Sequence, residues 1–384
     1  MSDITRILHV LGGTGLGGAE SRIMDLYRQM DRNEIQFDFL VHSEALNHVH
    51  SEAVRKPQFY DEEIEKMGGH IYVLPKFKVY NYFAYRKAVK AFFAKHHEFR
   101  VVQGHMTSTA SIYLPLAKKA GIPVTVAHSR NAGVEKGLKG MATKFLRKNL
   151  YKKADYCFAC SKLAGEDVFG KDWVEKGNVK IIHNAIDAGK FTYNADKRAA
   201  IRQKLQIEDK FVLGHVGRFN AQKNHPYLME VFAAICQKRE DAVLFLLGDG
   251  PDREKIEQKC EELGIRDKVF FTGNQKEPEA YYQAFDVFLL PSFYEGLPGV
   301  LVEAQAAGLR CFVSDTITKE AQATELVTYL SIEQPAKKWA EEILSQASYE
   351  RKDRYQELSA SGFDVKSQAE GYRKFYLNGD CSGL

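Results

Sequence analysis

Residues 211–250 read FVLGHVGRFNAQKNHPYLMEVFAAICQKREDAVLFLLGDG. Two short apolar runs, FVLGHVGR (211–218) and AVLFLLGDG (242–250), each end in glycine and polar residues and flank a longer amphipathic stretch. This is the rhythm of strand, crossover helix and parallel strand. It continues downstream through KVFFTG (268–273), VFLLPS (287–292) and RCFVSD (310–315), which makes five strands in the second half. Upstream the same alternation runs through ITRILHVL (4–11), IQFDFLVHS (35–43), HIYVLP (70–75), RVVQGHM (100–106), PVTVAHS (123–129) and VKIIHNAID (179–187), with helices such as AESRIMDLYRQM (19–30) between them. NAIDAGKFTYNADKR (184–198) is polar, lacks clear periodicity, and reads as a linker. The expected fold is therefore α/β: two Rossmann-like, doubly wound parallel-sheet domains facing a cleft, over residues 1–187 and 188–384. The last helix, about 365–377, is a candidate to cross back to the first domain.

Composition fits that size. The chain has 384 residues, 45% of them hydrophobic and 27% charged, and no low-complexity tract, which places it among globular two-domain proteins. No signal peptide is expected, and no apolar stretch approaches the ~20 residues that span a bilayer. Six cysteines at irregular spacing fit a reducing cytoplasm better than a disulfide framework. Cys157 and Cys160 form a CxxC in a strand-like run with no second ligand pair, so inert buried thiols are expected in place of a zinc or redox site. Lys plus Arg outnumber Asp plus Glu by 28 to 20 over residues 1–187 (+8) but trail by 26 to 30 over 188–384 (−4), consistent with the overall +4. Halves of opposite sign suit domains that meet different partners.

In open α/β sheets, ligands bind beyond the carboxyl ends of the strands. After the first strand comes GGTGLGGAE, in which Gly13, Gly15 and Gly18 satisfy G-x-G-x-x-G. Alone this motif is weak, since the acidic residue that should close the next strand is replaced by Glu44 just beyond it. After FVLGHVGR come Arg218 and Lys223, spaced to clamp a pyrophosphate. After the 287–292 strand comes YEGLPGVLVEAQAAG, Tyr294 to Gly308. With Pro298 at the first helical position, the amides of Gly299, Val300 and Leu301 would lack intrahelical acceptors and attract an anion. Glu295 and Glu303 then suit hydroxyls on either side of a diphosphate, as in a nucleotide-sugar. Glu303 sits among small and apolar residues, where an unpartnered carboxylate is costly, so something should bond to it.

Taken in order, these residues resemble the family 4 retaining glycosyltransferases of GT-B fold, in particular the bacterial capsule and exopolysaccharide branch. The resemblance rests on the E-x7-E pair Glu295 and Glu303, on Arg218 with Lys223, on GGAE (Gly17, Gly18, Ala19, Glu20), and on His128 in AHSR; EGLPGV is a small variant of the usual turn. It implies that Glu303 holds ribose and Glu295 contacts the donor sugar. It also implies that Arg218, Lys223 and the amides of Gly299, Val300 and Leu301 neutralise the diphosphate. Asn274 would meet the base, Gly17 and Gly18 would let ligand approach, and His128 would face acceptor or donor sugar, with His105 a weaker candidate. No D-x-D occurs, so charge neutralisation without metal or other cofactor is expected. The implied activity moves a hexose from a nucleotide diphosphate donor, uridine the expected base, to a glycan or lipid-linked acceptor.

Two other classes fit parts of the pattern: an NAD-dependent enzyme on the Gly12–Gly18 turn, which leaves Arg218, Lys223 and both glutamates unexplained, and a non-catalytic nucleotide-sugar-binding protein. No nucleic-acid partner is expected. The basic, aromatic-studded stretches Lys76–Phe93 and Lys136–Lys153 suggest peripheral contact with anionic lipid at the inner membrane face, although neither gives a clean apolar stripe at helical spacing.

Overall fold

A computed structural model describes residues 4–44, 55–130 and 138–384. The chain forms two compact units, residues 1–184 with 365–384, and residues 185–364.

In the first unit seven parallel strands run β1 Thr5–Val10, β2 Ile35–Ser43, β3 Ile71–Pro75, β4 Phe99–Gly104, β5 Val124–Ser129, β6 Tyr156–Ala159 and β7 Lys180–Ile181, in sheet order β3-β2-β1-β4-β5-β6-β7. Their crossovers carry α1 Gly18–Gln29, α2 Asp61–Lys66, α3 Tyr82–Phe93, α4 Thr107–Lys119, α5 Leu138–Arg147, α6 Lys162–Phe169 and α7 Lys171–Glu175. The apolar runs form strands because both faces are covered: Ile7, Leu8, Phe37, Phe39, Val101 and Val102 are all buried. The run at 179–187 contributes only two residues to the sheet; Ile186 instead bridges Asp364 in the second unit. Cys157 and Cys160 are buried free thiols, and burial pushes the Cys157 thiol up to about 12.

The second unit opens with two helices, α8 Ala188–Phe191 and α9 Ala195–Leu205, where the sequence reads as a linker. Arginine, not an apolar stripe, holds α9 in place. Arg198 and Arg202 donate to the carbonyls of Gln283, Ala284 and Phe285 and to Asp286, and Asn194 caps the helix by accepting from the amide of Lys197. Hydrophobic periodicity is blind to a helix anchored by guanidinium groups. The sheet comprises β8 Phe211–Val216, β9 Ala242–Leu247, β10 Val269–Gly273, β11 Val287–Leu290, β12 Arg310–Ser314 and β13 Val327–Leu330, in order β10-β9-β8-β11-β12-β13. β13 is a sixth strand beyond the five read; its three half-exposed residues leave little apolar signal. The helices are α10 His225–Cys236, α11 Arg253–Glu262, α12 Pro278–Ala284, α13 Gly299–Ala306, α14 Ala336–Ser345 and α15 Tyr355–Ala360.

The chain then returns to the first unit as α16, Val365–Asn378. Phe375 packs on Phe158 with ring centroids 5.1 Å apart, and Tyr376 meets Phe37 edge-on at 5.6 Å. Arg373 pairs with Glu34 at 2.6 Å, and Arg100 donates to the carbonyl of Tyr376 at 2.9 Å.

Both sheets reverse direction once, between β1 and β4 and between β8 and β11. Crevices open at such reversals because the flanking loops part to opposite faces. β8 packs against the 284–286 turn so closely that a Cβ on Gly214 would fall on the ring of Phe285. Gly214→Ala should therefore cost about 2 kcal/mol, read as a lower urea midpoint with an unchanged slope.

Candidate functional site

At the β8/β11 reversal, two loops are tied to each other. The turn after β8 reaches α10 through Arg218, Gln222 and Lys223, while the turn after β11 runs from Pro291 to Pro298. The backbone amide of Phe293 donates to the carbonyl of Gln222 at 2.9 Å, and the Gln222 amide donates to the carbonyl of Tyr294 at 2.9 Å and to Glu295 at 3.3 Å. Lys223 Nζ lies 2.7 Å from Glu295 Oε1, with both side chains largely buried. The expected diphosphate clamp and the expected sugar contact are therefore an ion pair with each other. Arg218, by contrast, is exposed and carries no protein partner among the described residues, which leaves its guanidinium open to an anion.

The start of α13 differs from the sequence expectation in one respect. Pro298 is the N-cap, at φ −72 and ψ 105, and is not the first helical residue. Its carbonyl accepts from the amides of Leu301 at 3.1 Å and Val302 at 3.4 Å. Only Gly299 and Val300 keep amides without a backbone acceptor, so Leu301 leaves the anion-binding set. Glu303 is buried, 6% exposed, and accepts from the Tyr282 hydroxyl at 2.8 Å. Tyr282 lies on α12, and no local pattern links it to Glu303.

The remaining strand ends complete the rim. Gly248, at φ +133, packs so closely that a Cβ there would strike the carbonyl of Gly217, and its amide donates to the carbonyl of Gly273 at 2.9 Å. Asn274 follows Gly273 and is exposed. Beneath the turn, His215 donates from Nδ1 to the carbonyl of Leu289 at 2.8 Å, and burial holds it neutral, down to about 3.

In the first unit the glycine-rich turn is occupied by protein. The Thr14 amide donates to Gln58 Oε1 at 2.6 Å, and Asp61 accepts from the Thr14 hydroxyl while pairing with Arg55. Gly17 is the N-cap of α1 and Gly18 its exposed first residue; the Glu20 side chain folds back over Gly17. Glu44 pairs with Lys76 at 2.9 Å. His128 lies inside β5, not beyond its end: it is fully buried, with Nδ1 accepting from Gln103 Nε2 at 2.8 Å. The half-buried side chains at this edge are His105 and Arg130, bonded to each other at 3.4 Å. Among the described residues, no group of His, Cys, Asp and Glu is placed to hold a metal ion.

Two parallel-sheet units, each with its polar loops gathered at one strand reversal, have the architecture of GT-B glycosyltransferases. The model "Glycosyl transferases group 1" matches residues 197–360 and the model "Glycosyltransferase Family 4" matches residues 16–190. The chain belongs to the family 4 glycosyltransferases. It is 34% identical over 381 residues to EpsF of Bacillus subtilis (strain 168), a glycosyltransferase by its name, covering 97% of this chain and 96% of EpsF. It is 27% identical over 229 residues to the UDP-Gal:alpha-D-GlcNAc-diphosphoundecaprenol alpha-1,3-galactosyltransferase of Escherichia coli, covering 58% of this chain and 59% of that one. Among solved structures, Anabaena Alr3699/HepE, in complex with UDP and glucose, superposes with a TM-score of 0.68 at 16% identity, covering 96% of this chain and 95% of that one.

The two cations should differ in stability. Lys223→Ala strands a buried carboxylate and should cost about 3 kcal/mol, whereas Arg218→Ala, at an exposed position, should leave the melting temperature within a degree or two of wild type. Calorimetric melts of both variants check this.

Proposed function

We propose that the protein is a retaining glycosyltransferase that moves a hexose from a UDP-sugar to a lipid-linked saccharide during cell-surface polysaccharide synthesis. In this reading the second unit holds the donor and the first unit holds the acceptor. One observation carries it: the exposed Arg218, the Lys223–Glu295 pair and the open amides of Gly299 and Val300 gather at one strand reversal. That combination suits a diphosphate flanked by hydroxyls. The UDP donor draws support from the UDP complex of the Anabaena protein, and the lipid-linked acceptor from the name of the Escherichia coli relative.

Chemically, the departing diphosphate develops charge as the glycosidic bond breaks. Arg218 and the α13 amides would stabilise that charge, and Lys223 would shift from Glu295 towards the phosphate as it builds. Glu295, released in part, would accept from a hydroxyl of the sugar. The acceptor hydroxyl would attack on the face the diphosphate leaves, and a phosphate oxygen would take its proton. No metal is needed for this balance. Glu303, already oriented by Tyr282, would hold ribose, and Asn274 would lie at the base.

An NAD-dependent reaction finds less support. The amide of Thr14 that would face a pyrophosphate is bonded to Gln58, and Glu44 is bonded to Lys76.

The two glutamates separate donor binding from chemistry. Glu303→Gln should weaken UDP and UDP-sugar alike, by ~10-fold. Glu295→Gln should leave UDP affinity within a few-fold and lower turnover by ~10². Calorimetric titration with UDP, beside release of UDP from a panel of UDP-sugars, distinguishes them; an equal loss of UDP affinity in both would reassign the pair.

We also propose peripheral contact between the first unit and anionic lipid. α3 and α5 both pack against α4. Val79, Tyr80 and Phe83 lie 68–82% exposed beside exposed Arg86, Lys87 and Lys90, and Met141 and Phe145 lie exposed beside Lys144 and Lys148. Arg147 does not belong to this face, for it donates to Thr107 at 2.9 Å and pairs with Asp167 at 3.0 Å. No helix of the described residues is long and apolar enough to cross a membrane. The protein should sediment with liposomes containing phosphatidylglycerol at low salt, release at high salt, and bind less after Lys144→Glu with Lys148→Glu. Indifference to anionic liposomes at low salt would leave the acceptor as a soluble glycan.

A further inference from the structure

Arg130 follows β5, beside the β1/β4 reversal of the first unit, half-buried and without a carboxylate partner among the described residues. Nε donates to His105 Nδ1 at 3.4 Å and Nη1 to Asn184 Oδ1 at 2.8 Å, and the Tyr372 hydroxyl is its further contact. Among the described residues none of its partners is charged. Glu20 feels its field but stands outside ion-pair distance, and burial raises the Glu20 carboxyl above its ordinary value.

The neutral partners are fixed in their proton positions. Because Arg130 donates to Nδ1 of His105, the imidazole proton lies on Nε2 and is donated to His9 Nδ1 at 3.1 Å. His9 then carries its own proton on Nε2. Gln103 accepts from Tyr376 at 2.7 Å and donates to His128, which fixes the third ring in the same way. Burial, and after it the charge of Arg130, lowers His9 to about 3 and holds His105 and His128 well below the usual histidine range. None of the three rings can share the positive charge, so Arg130 is left as one fixed cation on a rigid, neutral support.

A guanidinium partly desolvated with no counter-ion among the described residues is costly, and a fold that retains one beyond the carboxyl ends of its strands has a use for it. The adjoining turn adds donors of the same polarity. α4 begins two residues after His105, its N-cap Met106 offers no side-chain cap, and the amides of Thr107, Ser108 and Thr109 have no backbone acceptor. A forked cation beside an open helix start favours a tetrahedral, multiply charged anion over a single carboxylate.

We propose that Arg130 is the anchor for a phosphate group of the acceptor, with the diphosphate of a lipid-linked saccharide as its source. This rests on reading the first unit as the acceptor side. Asn184, Tyr372 and His105 are positioning residues for that anchor.

The experiment fills the donor site first. Protein saturated with UDP is titrated calorimetrically with farnesyl diphosphate and, separately, with inorganic pyrophosphate. A second binding event is expected for both, and Arg130→Gln should weaken it by ~10-fold or more, with Arg130→Lys intermediate because charge remains but the fork is lost. Tighter binding of the farnesyl compound assigns the anion to a lipid; equal affinities assign it to a sugar phosphate at the same arginine. Should Arg130→Gln fail to fold, phenylglyoxal labelling of the wild-type, UDP-saturated protein gives the same answer, since pyrophosphate must protect Arg130 in the peptide map. Absence of a second event at about 1 mM ligand, binding insensitive to Arg130→Gln, or labelling of Arg130 unaffected by pyrophosphate overturns the proposal. Failure to bind UDP in the first step would instead strike the donor reading and leave this site to be judged on the titration alone.

Discussion

The ion pair between Lys223 and Glu295 holds the second unit's polar edge together. It joins the loop after β8 to the loop after β11, and those are the loops that the reversal of strand order drives apart. Burying two charges is stabilising only when each keeps its partner, so the pair fixes the spacing of everything on either side. Gln222 reinforces it with two further donations, and the start of α13 follows within four residues of Glu295. The edge therefore has its geometry before any ligand is present, with Arg218 unpaired among the described residues and Lys223 held by a carboxylate. Preorganisation of this kind lets electrostatic stabilisation act without rearrangement when charge develops.

The first unit reaches a comparable end with the opposite means. Its reversal carries a row of neutral polar groups, His9, Gln103 and His128, beneath a single cation, Arg130. Every member bonds to a neighbour, and the row is closed from outside by α16 through Tyr376 and Tyr372. The return of the chain to this unit thus has a chemical consequence as well as a packing one. A helix that follows the whole second unit in sequence sets, through Gln103, the tautomer of His128.

Several residues carry two duties that pull in different directions. Glu303 is a carboxylate buried among apolar neighbours, which its bond to Tyr282 makes tolerable. Gly248 takes a backbone conformation that side chains avoid and approaches Gly217 within the radius of a methyl group. Such positions let backbone segments approach closely, at the expense of packing that a larger residue would supply.

The sequence by itself determined the alternation of strands and helices and the two-sheet architecture, because periodicity is a local property, and it singled out Arg218, Lys223, Glu295 and Glu303 as candidates. Tertiary structure alone decided that Lys223 and Glu295 are partners, that Tyr282 supports Glu303, and that Gln58 and Asp61 occupy the glycine-rich turn, since each pairing joins residues tens of positions apart. It also decided that α9 is a helix, because arginine-to-carbonyl bonds leave no hydrophobic period to detect, and that Pro298 caps α13 from outside. His128 shows the limit most plainly. A histidine at the end of an apolar run can lie just inside the sheet or just beyond it, and a single-residue difference in where the strand stops decides between a buried ring and a ligand-facing one.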